Sequence, residues 1–225
     1  MINLTPLILT LQLAAVTTVI LLLIGTPLAW WLAQTRTRLK PFIEAVIALP
    51  LVLPPTVLGF YLLIVLAPES PIGSAWLELF GKTLTFSFSG LVVGSVIYSL
   101  PFMIQPLQST FETHAKGPMD VAASLNAKPL DAFFSIAVPT SYRGFLTACV
   151  LTFAHTMGEF GVVMMIGGSI PGETRVISVE IYEQVDAGVN YASAHILSAI
   201  VLALSFVILL AVYTLNRKAS IHVAR

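Results

Sequence analysis

The sequence predicts an all-helical integral membrane protein, a bundle of five spans with its N-terminus outside and its C-terminus in the cytoplasm. Three observations carry this expectation. Of 225 residues, 57% are hydrophobic and 10% charged, which is not the composition of a soluble domain. Five apolar runs, at about 7–33, 42–66, 88–107, 144–166 and 194–215, each supply the roughly 20 helical residues that a hydrocarbon core of about 30 Å requires. With the N-terminus outside, Arg36, Arg38, Lys40, Lys116, Lys128, Arg143, Arg217, Lys218 and Arg225 fall inside, and only Lys82 and Arg175 fall outside. The chain 1–225 therefore reads as one transmembrane domain whose longest cytoplasmic segment is 113–143.

A formal net charge of zero points to no partner, because the asymmetry lies in where the charges sit. Nothing in it calls for nucleic acid. The single cysteine, Cys149, lies in an apolar run, excludes an intrachain disulfide and reads as a small core residue. Histidines 114, 155, 195 and 222 lack metal-ligand spacing, and no Ser-His or paired-acid arrangement stands out. No metal or cofactor is expected.

The first run has no basic residue before it and is too long for the apolar region of a signal peptide, so it is expected to remain as a span. It closes on Trp30 and Trp31, whose amphipathic rings suit the headgroup level. The second run contains Pro50, Pro54 and Pro55. These remove amide donors that hydrocarbon cannot replace, a break tolerated only against protein or a cavity. Pro54 and Pro55 are thus candidates for a pathway wall, or for a kinked packing helix; the two readings are compatible. Between the second and third runs, Ile72, Ala75, Trp76, Leu79 and Phe80 share one helical face, which predicts a short helix on the outer membrane surface. The third run is rich in Ser and Gly and reads as a packing helix.

The segment Gly117 to Pro139 is polar and half-apolar between hydrophobic runs. Pro118 can open a helix, Asp120 would fall in its first turn, and Asn126 suits the left-handed residue that ends one. Pro129 can open a second helix carrying Leu130, Phe133, Phe134 and Ala137. The fourth run holds the one intramembrane acid, Glu159, with His155 four residues earlier on the same face and Phe160 beside it. A carboxylate there is costly unless paired or wet, so Glu159 is expected to face the bundle interior with His155 as a candidate partner. Gating and hydrogen-bonded glue between helices are both open roles. Ile170 to Arg175 reads as an outside turn followed by an amphipathic helix, with Glu173 and Arg175 as candidates for outside contacts.

At Asp120-Val121-Ala122, Asn126, Ile136 and Val138-Pro139 the chain resembles the permease subunits of ATP-binding-cassette importers. Their cytoplasmic signature is Glu-Ala-Ala, three residues, Gly, nine residues, Ile, one residue, Leu-Pro. Asp, Asn and the second Val are conservative departures from it, whereas Val121 is bulkier than the Ala it replaces. Together with the proline run at 50–55, Gly158-Glu-Phe-Gly161 and Ile170 to Arg175, the match narrows to permeases of the molybdate, tungstate and sulfate group, with His155 where members carry Arg.

The resemblance implies a type I importer fold in the bacterial cytoplasmic (inner) membrane, working as a homodimer for molybdate, with tungstate or sulfate as alternatives. It implies a dimer of ATPase subunits and an extracytoplasmic oxyanion-binding protein as partners, alongside membrane lipid. Asp120, Val121, Ala122, Ala123, Leu125 and Asn126 would then form the helix that docks on the ATPase. This chain has no Gly-rich loop ending in Gly-Lys-Ser/Thr, so ATP would be used by the partner and this subunit would not be an enzyme. From the residues alone, a secondary transporter relaying protons through Glu159 and His155 is the other reading.

Overall fold

The computed structural model describes residues 4–186 and 190–223, and among them all regular structure is helical. Helix α1 (Thr5–Gln34) has 30 residues. At about 1.5 Å per residue that length exceeds the hydrocarbon thickness. The second run is split into α2 (Lys40–Val52) and α3 (Pro55–Leu66), bent by 112° relative to each other. The cause is local: Leu53 and Pro54 each precede a proline, which disfavours the helical region, and both are extended, with ψ of 137° and 133°.

Helix α4 (Pro71–Phe80) starts on Ser70, whose hydroxyl accepts from the Gly73 amide at 2.9 Å, and ends at Gly81 with φ +69°. Trp76 turns inward onto the α3 and α5 side chains, whereas Leu79 stays 78% exposed.

Helix α5 (Phe88–Thr110) is the central strut, in contact with α1, α2, α3, α9 and α10. It does not stop where the apolar run does. Through a wide π-type turn at Phe111–Ala115 it continues into α6 (Lys116–Ser124), so the helical rod runs from Phe88 to Ser124. This corrects the expectation that Pro118 opens a new helix. Phe111 and Ala115 are fully buried and hold the rod to the core, and the wider turn just before Pro118 relieves the clash its ring would make with the preceding carbonyls.

A second wide turn, Phe133–Ala137, stands in the same relation to Pro139, between α7 (Pro129–Ala132) and α8 (Val138–Thr140). The fourth run is not continuous: α9 (Tyr142–Met157) and α10 (Gly161–Gly167) meet at 58° across Gly158, Glu159 and Phe160. Helices α11 (Ile177–Asp186) and α12 (Tyr191–Val223) complete the chain. Helices α1, the rod from Phe88 to Ser124, and Tyr191–Leu210 are each long and apolar enough to cross a membrane, and the two bent pairs would bring the number to five.

One end of the bundle is filled by Leu21, Leu32, Ile104, Leu107, Phe111 and Ala148. Trp30 packs onto it, edge-on against Phe111 and Phe133 with centroids 5.1 and 5.0 Å away; Trp31 is the exposed one of the pair. At the other end the core consists of Leu13, Leu91, Val163 and Val179, beside Leu62, Leu66 and Ile166. Helix α1 is tied there to the start of α11 by Thr10, whose hydroxyl donates to the Pro6 carbonyl at 2.7 Å and accepts the Ile177 amide at 2.8 Å.

Candidate functional site

The break between α9 and α10 opens a cleft of about 570 Å³ lined by Pro55, Thr56, Tyr98, His155, Glu159 and Phe160, among others. Glu159 is 5% exposed and sits in the break itself, where its backbone leaves the helix and its side chain turns toward α5. Its Oε2 accepts from the Ser95 hydroxyl at 3.1 Å, and its backbone carbonyl accepts from the Ser178 hydroxyl of α11 at 2.6 Å. Its Oε1 is buried, and the backbone amides of Val162 and Val163, in the first turn of α10, face the carboxylate. A buried acid held by a serine and by the first amides of a helix is a specifically placed group rather than packing.

His155 does not pair with Glu159, contrary to the i, i+4 expectation. Each instead takes a serine of α5, Ser99 and Ser95, themselves four residues apart. His155 Nδ1 lies 2.9 Å from Ser99 Oγ, and Ser99 Oγ lies 2.9 Å from Thr156 Oγ1, which donates to the Thr152 carbonyl at 2.9 Å. The order that satisfies every group once runs from His155 Nδ1–H to Ser99, Thr156 and Thr152. It leaves Nε2 as the imidazole's remaining polar atom. The ring is fixed by stacking on Phe102, centroids 4.0 Å apart, and by Tyr98 at 4.7 Å.

Of the pathway candidates, Pro55, His155, Glu159 and Phe160 meet at this cleft. Pro54 shapes the bend but is not in the lining. Sequence reading missed Ser95, Ser99, Thr56 and Tyr98. The matching four-residue spacings of the two serines and of His155 and Glu159 are the signal that two antiparallel helices would zip there.

In the segment 113–143, α6 closes with a Schellman turn. Asn126 has φ +58°, its amide bonds to the Ala123 carbonyl at 3.1 Å, and the Ala127 amide reaches the Ala122 carbonyl at 3.0 Å. Ala122 is 6% exposed and packs into this chain's own interior. The outward face presents Asp120, Val121, Ala123, Ser124 and Leu125, with Val121 62% and Leu125 77% exposed.

The family described as "Binding-protein-dependent transport system inner membrane component" matches residues 25–221. The chain belongs to this family. It is 56% identical over 209 residues to the Azotobacter vinelandii "Molybdenum transport system permease protein ModB", spanning 93% of this chain and 92% of that one. It is 33% identical to the corresponding "ModB" of Escherichia coli K12, over 83% of this chain and 81% of that one. In fold it is similar to a chain of the structure titled "Inward facing conformations of the MetNI methionine ABC transporter", with a TM-score of 0.76, 15% identity and coverage of 96% and 95%. This chain is therefore an inner-membrane permease with the helical fold of ABC transporter permeases, as its sequence motifs led one to expect.

In this member of the family the two outside-contact candidates differ. Glu173 is exposed on the turn after Ile170. Arg175 is engaged within the chain: Nη1 lies 3.5 Å from Glu180 and 3.3 Å from Glu183, while Nε and Nη2 donate to the hydroxyl and carbonyl of Ser169 at 2.8 and 3.2 Å. Glu180, only 7% exposed, also accepts from Gln184 at 2.8 Å. This clamp ties the turn to α11 and hence to the Ser178–Glu159 contact.

Proposed function

We propose that this chain is the membrane-spanning subunit of an ATP-driven importer that admits molybdate, acting as a homodimer with its N-terminus outside. The 56% identity to the Azotobacter vinelandii molybdenum permease along almost the whole of both chains carries the substrate reading. The topology rests on the basic bias and on five crossings, with the bent pairs α2–α3 and α9–α10 each counted as one.

In this reading the cleft at Glu159 is part of the pathway wall. No Lys or Arg is in its lining, so it would pass an oxyanion without binding it tightly, the selection being made by an extracytoplasmic binding protein. Glu159 would serve as a gate, its carboxylate held away from the passing anion by Ser95. The exposed face of α6 would dock on the ATPase subunit, and the rigid rod from Phe88 to Ser124 would carry that motion to Ser95 and Ser99.

The test is uptake of labelled molybdate by proteoliposomes holding this chain, its cognate ATPase and its binding protein, with tungstate and sulfate as competitors. ATP-dependent molybdate uptake that sulfate in excess leaves intact supports the reading. Sulfate accumulation in place of molybdate would reassign the substrate within the oxyanion group.

A further inference from the structure

Beside the outward face of α6 lies a second cleft, of about 290 Å³, between the cytoplasmic end of α1 and the start of α6. Trp30, Phe111 and Met119 supply apolar lining. Arg36, Lys116, Gln34 and Asp120 supply its polar atoms, and Ala123 completes it. Arg36 and Lys116 are both exposed, and neither forms a salt bridge among the described residues. With Asp120 the only carboxylate in the lining, the cleft keeps a net positive charge.

We propose that this cleft receives an acidic side chain of the ATPase subunit, making the α1–α2 turn a second docking point beside α6. The inference rests on the reading of this chain as an ATPase-driven permease. The lining selects the occupant. A small inorganic dianion needs polar donors all around it, whereas a lining that joins large apolar side chains to two cations suits an aliphatic stem ending in a carboxylate. The location agrees, because Asp120 and Ala123 belong both to the cleft and to the helix expected to dock.

Two cations held on different elements, α1's end and α6, would also make docking sensitive to the distance between them. An acid bound between Arg36 and Lys116 grips the first span and the rod together, so a movement of the ATPase would reach both. A side chain in a cleft lined in part by Trp30, Phe111 and Met119 is partly desolvated, which strengthens its attraction to the two cations relative to a fully wet pair.

The experiment uses the complete complex, co-expressed and purified in detergent through a tag on this chain. Arg36→Gln/Lys116→Gln should weaken ATPase retention by about tenfold and flatten its salt dependence. The charge-keeping swap Arg36→Lys/Lys116→Arg should restore much of both. Arg38 and Lys40 remain, so the positive-inside signal persists, and gel filtration of the subunit alone checks that it is folded. Leu125→Asp, on the neighbouring face of α6, separates the two levels of the argument.

If Leu125→Asp releases the ATPase while the double Gln variant retains it with unchanged salt dependence, the inference is wrong and the docking reading stands. If neither variant releases it, the docking reading falls as well.

Discussion

Pro55 and Gly161, the first residues of α3 and α10, meet where the two broken spans cross: a Cβ built on Gly161 would stand 2.6 Å from Cβ of Pro55. The contact is continued one turn on, where a Cβ on Gly59 would stand 2.7 Å from Cβ of Met165. A proline cannot give way as a flexible side chain would, so these two breaks are locked together by the absence of a methyl group. Gly161→Ala should therefore cost about 1–3 kcal/mol through overpacking, or shift α10 away from α3. Gly158, three residues earlier in the same motif, has its nearest neighbour 3.6 Å from a built Cβ, and Gly158→Ala should be close to neutral. Thermal unfolding of the two purified variants in detergent decides this; equal midpoints would remove the steric argument.

The bend at Pro54 and Pro55 was legible because two prolines in a row restrict the residue before each of them. The break at Glu159 was not. The run from 144 to 166 is long enough and apolar enough on average to read as one span in spite of His155 and Glu159, and hydropathy does not register a change of direction. The extent of the cytoplasmic helix was obscured for a different reason: a local start signal at Pro118 was overridden by the burial of Phe111 and Ala115 on the α1 and α9 side chains, so the rod continues through it. The inward packing of Trp30 left no local signal, because an aromatic next to a basic loop has only the pattern of an interfacial anchor. Its packing on Phe111 and Phe133, distant in sequence, is tertiary.

Glu159 separates gate from glue. Glu159→Gln keeps an acceptor for Ser95 and leaves the Ser178 bond untouched, since that one is made to the backbone carbonyl. The variant should assemble normally and change the uptake rate if the charge is used. Glu159→Leu removes the acceptor and strands Ser95 in a buried position, at about 1–3 kcal/mol. If both variants assemble with ATPase and take up molybdate at the parental rate, the residue has no part in the pathway.

Arg175 is predicted to matter for the stability of the outer turn more than for contact with another protein. Arg175→Met leaves the buried Glu180 without its cation and should cost about 1–3 kcal/mol. Lysine should rescue poorly, because the fork that reaches Ser169, Glu180 and Glu183 at once needs a guanidinium. The double variant Arg175→Met/Glu180→Gln should recover part of the loss, and a double-mutant cycle on unfolding midpoints measures the coupling. Strict additivity would show that the clamp contributes nothing.

Asn126 holds the left-handed residue of the turn that ends α6, at φ +58°. Asn126→Gly removes the Cβ strain at the position where related importers carry Gly and should be neutral or slightly stabilising. Asn126→Val should cost about 1–2 kcal/mol, because a β-branched residue fits that region poorly. The cost falls on the geometry of the docking segment, so the Val variant should show a lower ratio of transport to ATP hydrolysis even where it remains folded. A Val variant with parental coupling would mean that the turn is not transmitted to the ATPase.

The docking face itself gives a prediction in which neighbouring residues behave differently. Ala122 and Ala123 look equivalent in sequence, yet Ala122 is 6% exposed and turned into the chain's own core, whereas Ala123 is exposed on the surface of α6. Ala122→Arg would force a charge into a closed core and should lower the yield of folded subunit, with or without a partner present. Ala123→Arg and Leu125→Asp leave the subunit's packing intact and put bulk or charge on the face offered to the ATPase. They should insert and purify as the parent does, fail to hold the ATPase in detergent, and lose uptake. Measuring the yield of the isolated subunit and the ATPase retained per subunit, for all three variants together, separates folding from docking. If Ala123→Arg and Leu125→Asp retain a full complement of ATPase and transport at the parental rate, α6 is only a connector between spans, and the rod from Phe88 to Ser124 carries no signal.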